Sequence, residues 1–125
     1  MPRPKRDADR EERISMEIVV DAYGPEEQAM GWYYYLADTM QFPFTATCIQ
    51  KRSTSPIKIN DTVEVVGMAD EGDCEHDMFA EIDWGEGDRL AIPLTQISAV
   101  PDTDEDTQQA IADWHYWIDS GYQFG

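Results

Sequence analysis

A chain of 125 residues, 42% of them apolar and with four Trp, six Tyr and four Phe, can bury a core without disulfides or structural metal, which excludes the composition of a disordered acidic chain. Against 26 Asp and Glu stand only 9 Lys and Arg, five of them within the first 13 residues, and the net charge is −17. Such a body disfavours nucleic acid and anionic lipid as partners and favours cations or basic proteins.

Residues 1–9, rich in proline and basic residues without an apolar cluster, are expected to form a flexible arm ahead of a single domain over 10–125. A helix is expected from about Arg10 to Tyr23, with Ile14, Ile18 and Ala22 as its apolar set and Met16, Val19, Val20 and Tyr23 widening the stripe. Gly24 stops it and Pro25 opens the next helix, in which Glu26 and Glu27 complement the dipole and Met30, Tyr33, Leu36 and Met40 recur at helical spacing. That second helix should reach about Thr39, with Gly31 permitting a close crossing. Thr45 to Ile49 and Thr62 to Ala69 read as strands. In Met78 to Trp84 the alternation places Met78, Ala80, Ile82 and Trp84 inward. Gly85-Glu86-Gly87-Asp88 is a hairpin turn, and Leu90, Ile92 and Leu94 form the inward set of the strand after it. A single helical turn before a last strand, around Pro93 to Ile97, suggests a small SH3-like antiparallel β-barrel. A final helix, to about Ser120 and capped by Gly121, presents Ile111, Trp114, His115 and Ile118. The fold class is therefore α+β: a barrel packed with two N-terminal helices and one C-terminal helix.

The chemistry lies in the carboxylates. Calcium takes six to eight hard oxygen ligands, so a site needs several acids converging on a loop with free carbonyls. Asp70, Glu71, Asp73, Glu75 and Asp77 supply five in eight residues around Gly72; solvent, salt or, most efficiently, a divalent cation would relieve their repulsion, and the alternative is a solvated acidic loop. Asp102, Asp104 and Asp106 fall at positions 1, 3 and 5 of an EF-hand loop, with Asp113 at position 12. The match fails there, because position 6 is Thr107 and position 12 lacks the bidentate Glu. A helix N-terminus, capped by Thr103 or Asp104, is the favoured explanation of these acids, leaving a weaker cation site as the secondary one. Asp38, where its charge opposes a helix dipole, is a further candidate.

Other chemistry is poorly supported. Cys48 and Cys74 are expected as free thiols, and with His76 and His115 they lack the paired spacing of a zinc site. The Trp114-His115-Tyr116-Trp117 cluster reads as core packing with a satisfied histidine. No phosphate loop, nucleophile elbow or HExxH occurs, so no enzyme is expected. No run approaches the roughly 20 apolar residues of a membrane span. With no apolar signal segment either, a cytoplasmic monomer is the expectation.

The words EIVVDAYG (17–24), AMGWYYYLAD (29–38), FPF (42–44), VEVVGMA (63–69) and TQQAIADWHYWIDSGYQF (107–124) resemble the small acidic calcium-binding proteins first known from cyanobacteria, the CcbP type. The resemblance implies a compact α/β fold, calcium bound without EF-hands at sites of unequal affinity, and a role in lowering free cytosolic calcium. The alternative from the residues is an acidic SH3-like interaction module that docks a basic partner independently of calcium.

Overall fold

The computed structural model describes residues 7–20 and 22–122; residues 1–6 of the expected arm, and Asp21, lie outside the described residues. Asp7 caps α1 (Ala8–Arg13), its Oδ1 accepting from Arg10 N at 3.0 Å. The helix then widens into a π-helical stretch, Ile14–Ile18, and stops there rather than at Tyr23. The β-branched run Ile18-Val19-Val20 gives the helix little support, and Val19 leaves helical geometry at φ −106° and ψ 17°. Ile14 and Ile18 enter the core as expected, but Met16, Val20 and Tyr23 are exposed, so the wide apolar stripe read from the sequence is not formed.

Helix α2 (Pro25–Thr39) has the bounds its punctuation predicts, with Gly24 at the cap and Pro25 in the first turn. It buries Ala29, Trp32 and Leu36, and crosses the π-helical stretch at Gly31. A Cβ at residue 31 would collide with the Ile18 carbonyl oxygen, so only glycine lets the backbones approach this closely.

Five strands follow: β1 (Phe44–Cys48), β2 (Thr62–Met68), β3 (Phe79–Gly85), β4 (Asp88–Pro93) and β5 (Ile97–Ala99). They pair antiparallel in the order β4-β3-β2-β1-β5. A 3-10 turn, Leu94–Gln96, precedes β5, as in the SH3-type arrangement expected, while the strand pairing is that of an open sheet and not a closed barrel. Between β3 and β4, Gly85, Glu86 and Gly87 all take positive φ, which is the hairpin the two glycines predict. Trp84 departs from the alternation. Met78, Ala80 and Ile82 are buried, but the register shifts between Asp83 and Gly85 and leaves Trp84 50% exposed near the hairpin tip.

Helix α3 (Glu105–Asp119) packs on α2 and β5, and Gly121 ends it at φ 92°. Trp32 meets Trp114 edge-on at 5.0 Å between centroids, and Trp117 lies 5.5 Å from Trp32. The buried face of α3 is rotated from the one expected and includes Asp113 and Tyr116 along with Trp114 and Trp117.

Candidate metal centre

β2 ends at Met68, and the chain turns through Asp70 into a 3-10 turn, Glu71–Cys74, before β3 begins. Cys74 is buried, its thiol donating to the Phe79 carbonyl and accepting from Phe79 N, so it anchors the turn while its neighbours face solvent. Asp70, Glu71, Asp73 and Glu75 are all exposed. Asp77 is half-buried and accepts from Met78 N at 2.8 Å.

Helix α2 supplies the other wall. Tyr33 Oη donates to the Ala69 carbonyl at 2.7 Å and Tyr34 Oη donates to Glu71 Oε1 at 2.6 Å. Between helix and turn lies a cavity of about 260 Å³ lined by Glu26, Ala29, Met30, Glu71, Gly72 and Glu75. Three carboxylates from two elements therefore border one space. Asp38 lies one helical turn beyond Tyr34, on the same face of α2. On the sheet side, Glu81 of β3 joins Glu71 and Asp70 in pushing the Tyr33 hydroxyl pKa above its ordinary value, after the larger effects of burial and Cys74. Glu81 also lies 3.5 Å from Arg89.

Glu26 and Glu81 are the members the sequence did not single out: the first read as a dipole complement, the second as an outward strand position. Only the tertiary packing of α2 on the turn brings Glu26 to the cavity, while Glu81 is linked to the turn through Tyr33, whose hydroxyl both influence. Among the described residues, no three carboxylate, thiol or imidazole groups already stand in metal-holding geometry. The carboxylates nearest the cavity are exposed, rotatable side chains.

Two groups of the turn have shifted titrations. Burial pushes the Asp77 carboxyl up, opposed by its bond to Met78 N and by the charge of Arg52. Burial likewise pushes the Cys74 thiol up, and Asp73, Asp77 and Asp70 add to it by repulsion.

Asp102, Asp104 and Asp106 are arranged differently. Asp104 caps α3: Oδ2 accepts from Thr107 N at 2.9 Å and Oδ1 from Thr107 Oγ1 at 2.8 Å, which hold its carboxyl below the usual range. Thr107 Oγ1 accepts in turn from Gln41 N at 2.8 Å, tying the cap to the exit of α2. The carbonyls of Pro101 and Thr103 accept from Gln108 Nε2. Asp102 and Asp104 both border a cavity of about 400 Å³ beside Phe42 and Phe44, and Asp106 is exposed in the first turn of α3.

The remaining sequence candidates are dispersed. Asp113 is buried and salt-bridged: Arg13 Nη2 lies 2.7 Å and Arg10 Nε 3.0 Å from its Oδ1, and Arg13 Nε and Tyr35 Oη donate to Oδ2 at 3.0 and 2.9 Å. Burial, and then Asp113, pushes the Tyr35 hydroxyl up to about 12. The residue at the twelfth position of the failed EF-hand is therefore the counter-ion that fixes α1 on α3. His115 bonds the Leu94 carbonyl through Nε2 at 3.1 Å, and burial lowers its pKa, as a satisfied histidine requires. Cys48 and Cys74 are free and buried.

Comparison with known proteins bears on this geometry. The profile of the family Calci_bind_CcbP, described as calcium binding, matches residues 12–118. The crystal structure of Anabaena CcbP superposes with a TM-score of 0.86 at 48% identity, over 99% of this chain and 100% of that one. A calcium-binding protein in its calcium-binding form superposes with a TM-score of 0.82, also at 48% identity, over 95% and 96% of the two chains. No curated protein matches the chain.

Proposed function

We propose, on the premise that this chain belongs to the CcbP family of calcium-binding proteins, that it buffers or sequesters calcium through the acidic turn between β2 and β3. Calcium binding itself comes with the family, which is not an enzyme family. The proposal concerns where the ion sits and what the binding does. Asp70, Glu71, Asp73, Glu75 and Asp77 form the main ligand pool, with Asp38 and Glu26 contributed by α2 and Glu81 by β3. The observation that carries this is the cavity bordered jointly by Glu26, Glu71 and Glu75. Asp102 and Asp106 make a weaker second site, with Asp104 committed to its helix cap.

An exposed turn that must gather its ligands suits calcium, which accepts an irregular shell of oxygens, better than magnesium, which demands an octahedron and sheds water reluctantly. It also suits a buffer. On this reading, residues 10–125 act as one non-catalytic unit in the cytoplasm, as a monomer. Calorimetric titration with calcium, repeated with magnesium, tests the assignment. We expect saturable calcium binding in the micromolar to millimolar range, weaker magnesium binding, and a loss of the tighter site when Glu71 and Glu75 are changed to Gln. Tight binding untouched by those changes would remove the turn from the site.

A further inference from the structure

We propose that Tyr34 is a positioning residue for calcium: its phenol holds the Glu71 carboxylate in place before the ion arrives, and so sets the affinity. The inference rests on the reading of the 70–77 turn as the binding segment. Two successive tyrosines of α2 reach that turn. Tyr33 fixes its entry through the Ala69 backbone, while Tyr34 reaches past the backbone to the side chain of Glu71, at 2.6 Å.

Packing does not account for the second contact. Tyr34 is 50% exposed and Glu71 is exposed, so neither side chain is forced against the other by burial. What the bond does is restrict a long side chain that would otherwise sample solvent, on the border of the cavity it shares with Glu26 and Glu75. Ordering such a side chain only when the ion arrives weakens binding by about three- to tenfold.

The chemistry of the donor matters as much as its position. A lysine or arginine there would neutralise Glu71 and compete with the cation. A phenol donates one hydrogen bond, leaves the carboxylate its full charge, and leaves Oε2 and the second lone pair of Oε1 open to metal. The helix face that meets Glu71 also carries Asp38 one turn on, so the contact keeps a helix-borne carboxylate and the turn in fixed relation.

A double-mutant cycle in calcium affinity tests this, using Tyr34→Phe, Glu71→Ala and the double variant, each titrated by calorimetry with thermal stability measured in chelator; Ala removes the acceptor that Gln would keep. We expect Tyr34→Phe to weaken calcium binding about three- to tenfold with an unchanged chelated Tm, and to have no further effect in the Glu71→Ala background. Wild-type affinity in Tyr34→Phe while Glu71→Ala binds weakly would overturn the role of Tyr34 and leave the site standing. Equal losses from Tyr34→Phe in both backgrounds would show that it does not act through Glu71. Wild-type affinity in Glu71→Ala would instead take Glu71 out of the site, and this inference with it.

Discussion

The two acidic segments are similar in composition and opposite in what their oxygens do. In 70–77 the carboxylates of Asp70, Asp73 and Glu75 are exposed on a turn anchored by buried Cys74, and Asp77 is held in partial burial that disfavours its charge. In 102–106 Asp104 spends both oxygens on Thr107, and the neighbouring carbonyls of Pro101 and Thr103 are spent on Gln108. Local charge density therefore does not by itself make an ion site. Whether the oxygens are committed to the fold or free to meet a cation also matters, and that is a property of packing.

The largest effect on folding should come from an acid that meets no ion. Asp113→Ala leaves Arg10 and Arg13 facing a buried position without a counter-ion, and about 3 kcal/mol of stability should be lost in denaturant unfolding. Calcium affinity of the folded fraction should be unchanged. A weakened affinity would join the α3 region to the binding site and break the contrast.

The reverse result is expected in the turn. Changing Glu71 and Glu75 together to Gln should lower calcium affinity about tenfold or more, about 1.4 kcal/mol, while chelated stability stays the same or rises as repulsion is removed. Calorimetry and thermal melts in chelator read the two quantities separately.

What the sequence disclosed follows from where its signals are local. Gly24-Pro25 bounds α2, Gly85 to Asp88 makes the β3–β4 turn, and Pro93 to Ile97 announces the 3-10 turn before β5, because each depends on backbone preferences of adjacent residues. A cap at Thr103 or Asp104 was legible for the same reason, and the structure has Asp104 in that place. The ion pairs of Arg10 and Arg13 with Asp113 were not, since they join residues about 100 positions apart. Trp84 was misplaced because a register shift at the hairpin tip interrupts an alternation that is otherwise sound. For the candidate site, the acidic turn was visible as composition, but that Glu26 shares a cavity with Glu71 and Glu75 follows only from the packing of α2 against the turn.

A smaller effect should come from Asp104→Ala, which removes the α3 cap and the acceptor for Thr107 Oγ1. The melting temperature should fall by a few degrees, with calcium affinity within about twofold of wild type, because capping and not ligation is what Asp104 does.

The smallest effect discriminates most finely, because the two segments should respond to acid with opposite sign. Asp104 has a depressed folded pKa, so folding favours its charged form. Its contribution is complete above the unfolded value and lost as pH falls through the lower folded value. Asp77 has a raised folded pKa from burial, so the folded state binds its proton more tightly. Its contribution is complete below the unfolded value and lost as pH rises through the folded one, which leaves the ionised carboxylate a burden at neutral pH. Asn at position 77 keeps an oxygen for Met78 N without the charge, and Asp77→Asn should raise the chelated melting temperature slightly at pH 7 and lose that advantage below pH 4. Added calcium should narrow the difference if Asp77 is a ligand, since a bound cation favours in the wild type the ionised carboxylate that burial disfavours. A variant less stable than wild type at pH 7 in chelator would mean that the charge of Asp77 is already compensated within the fold, with Arg52 the residue placed to do it.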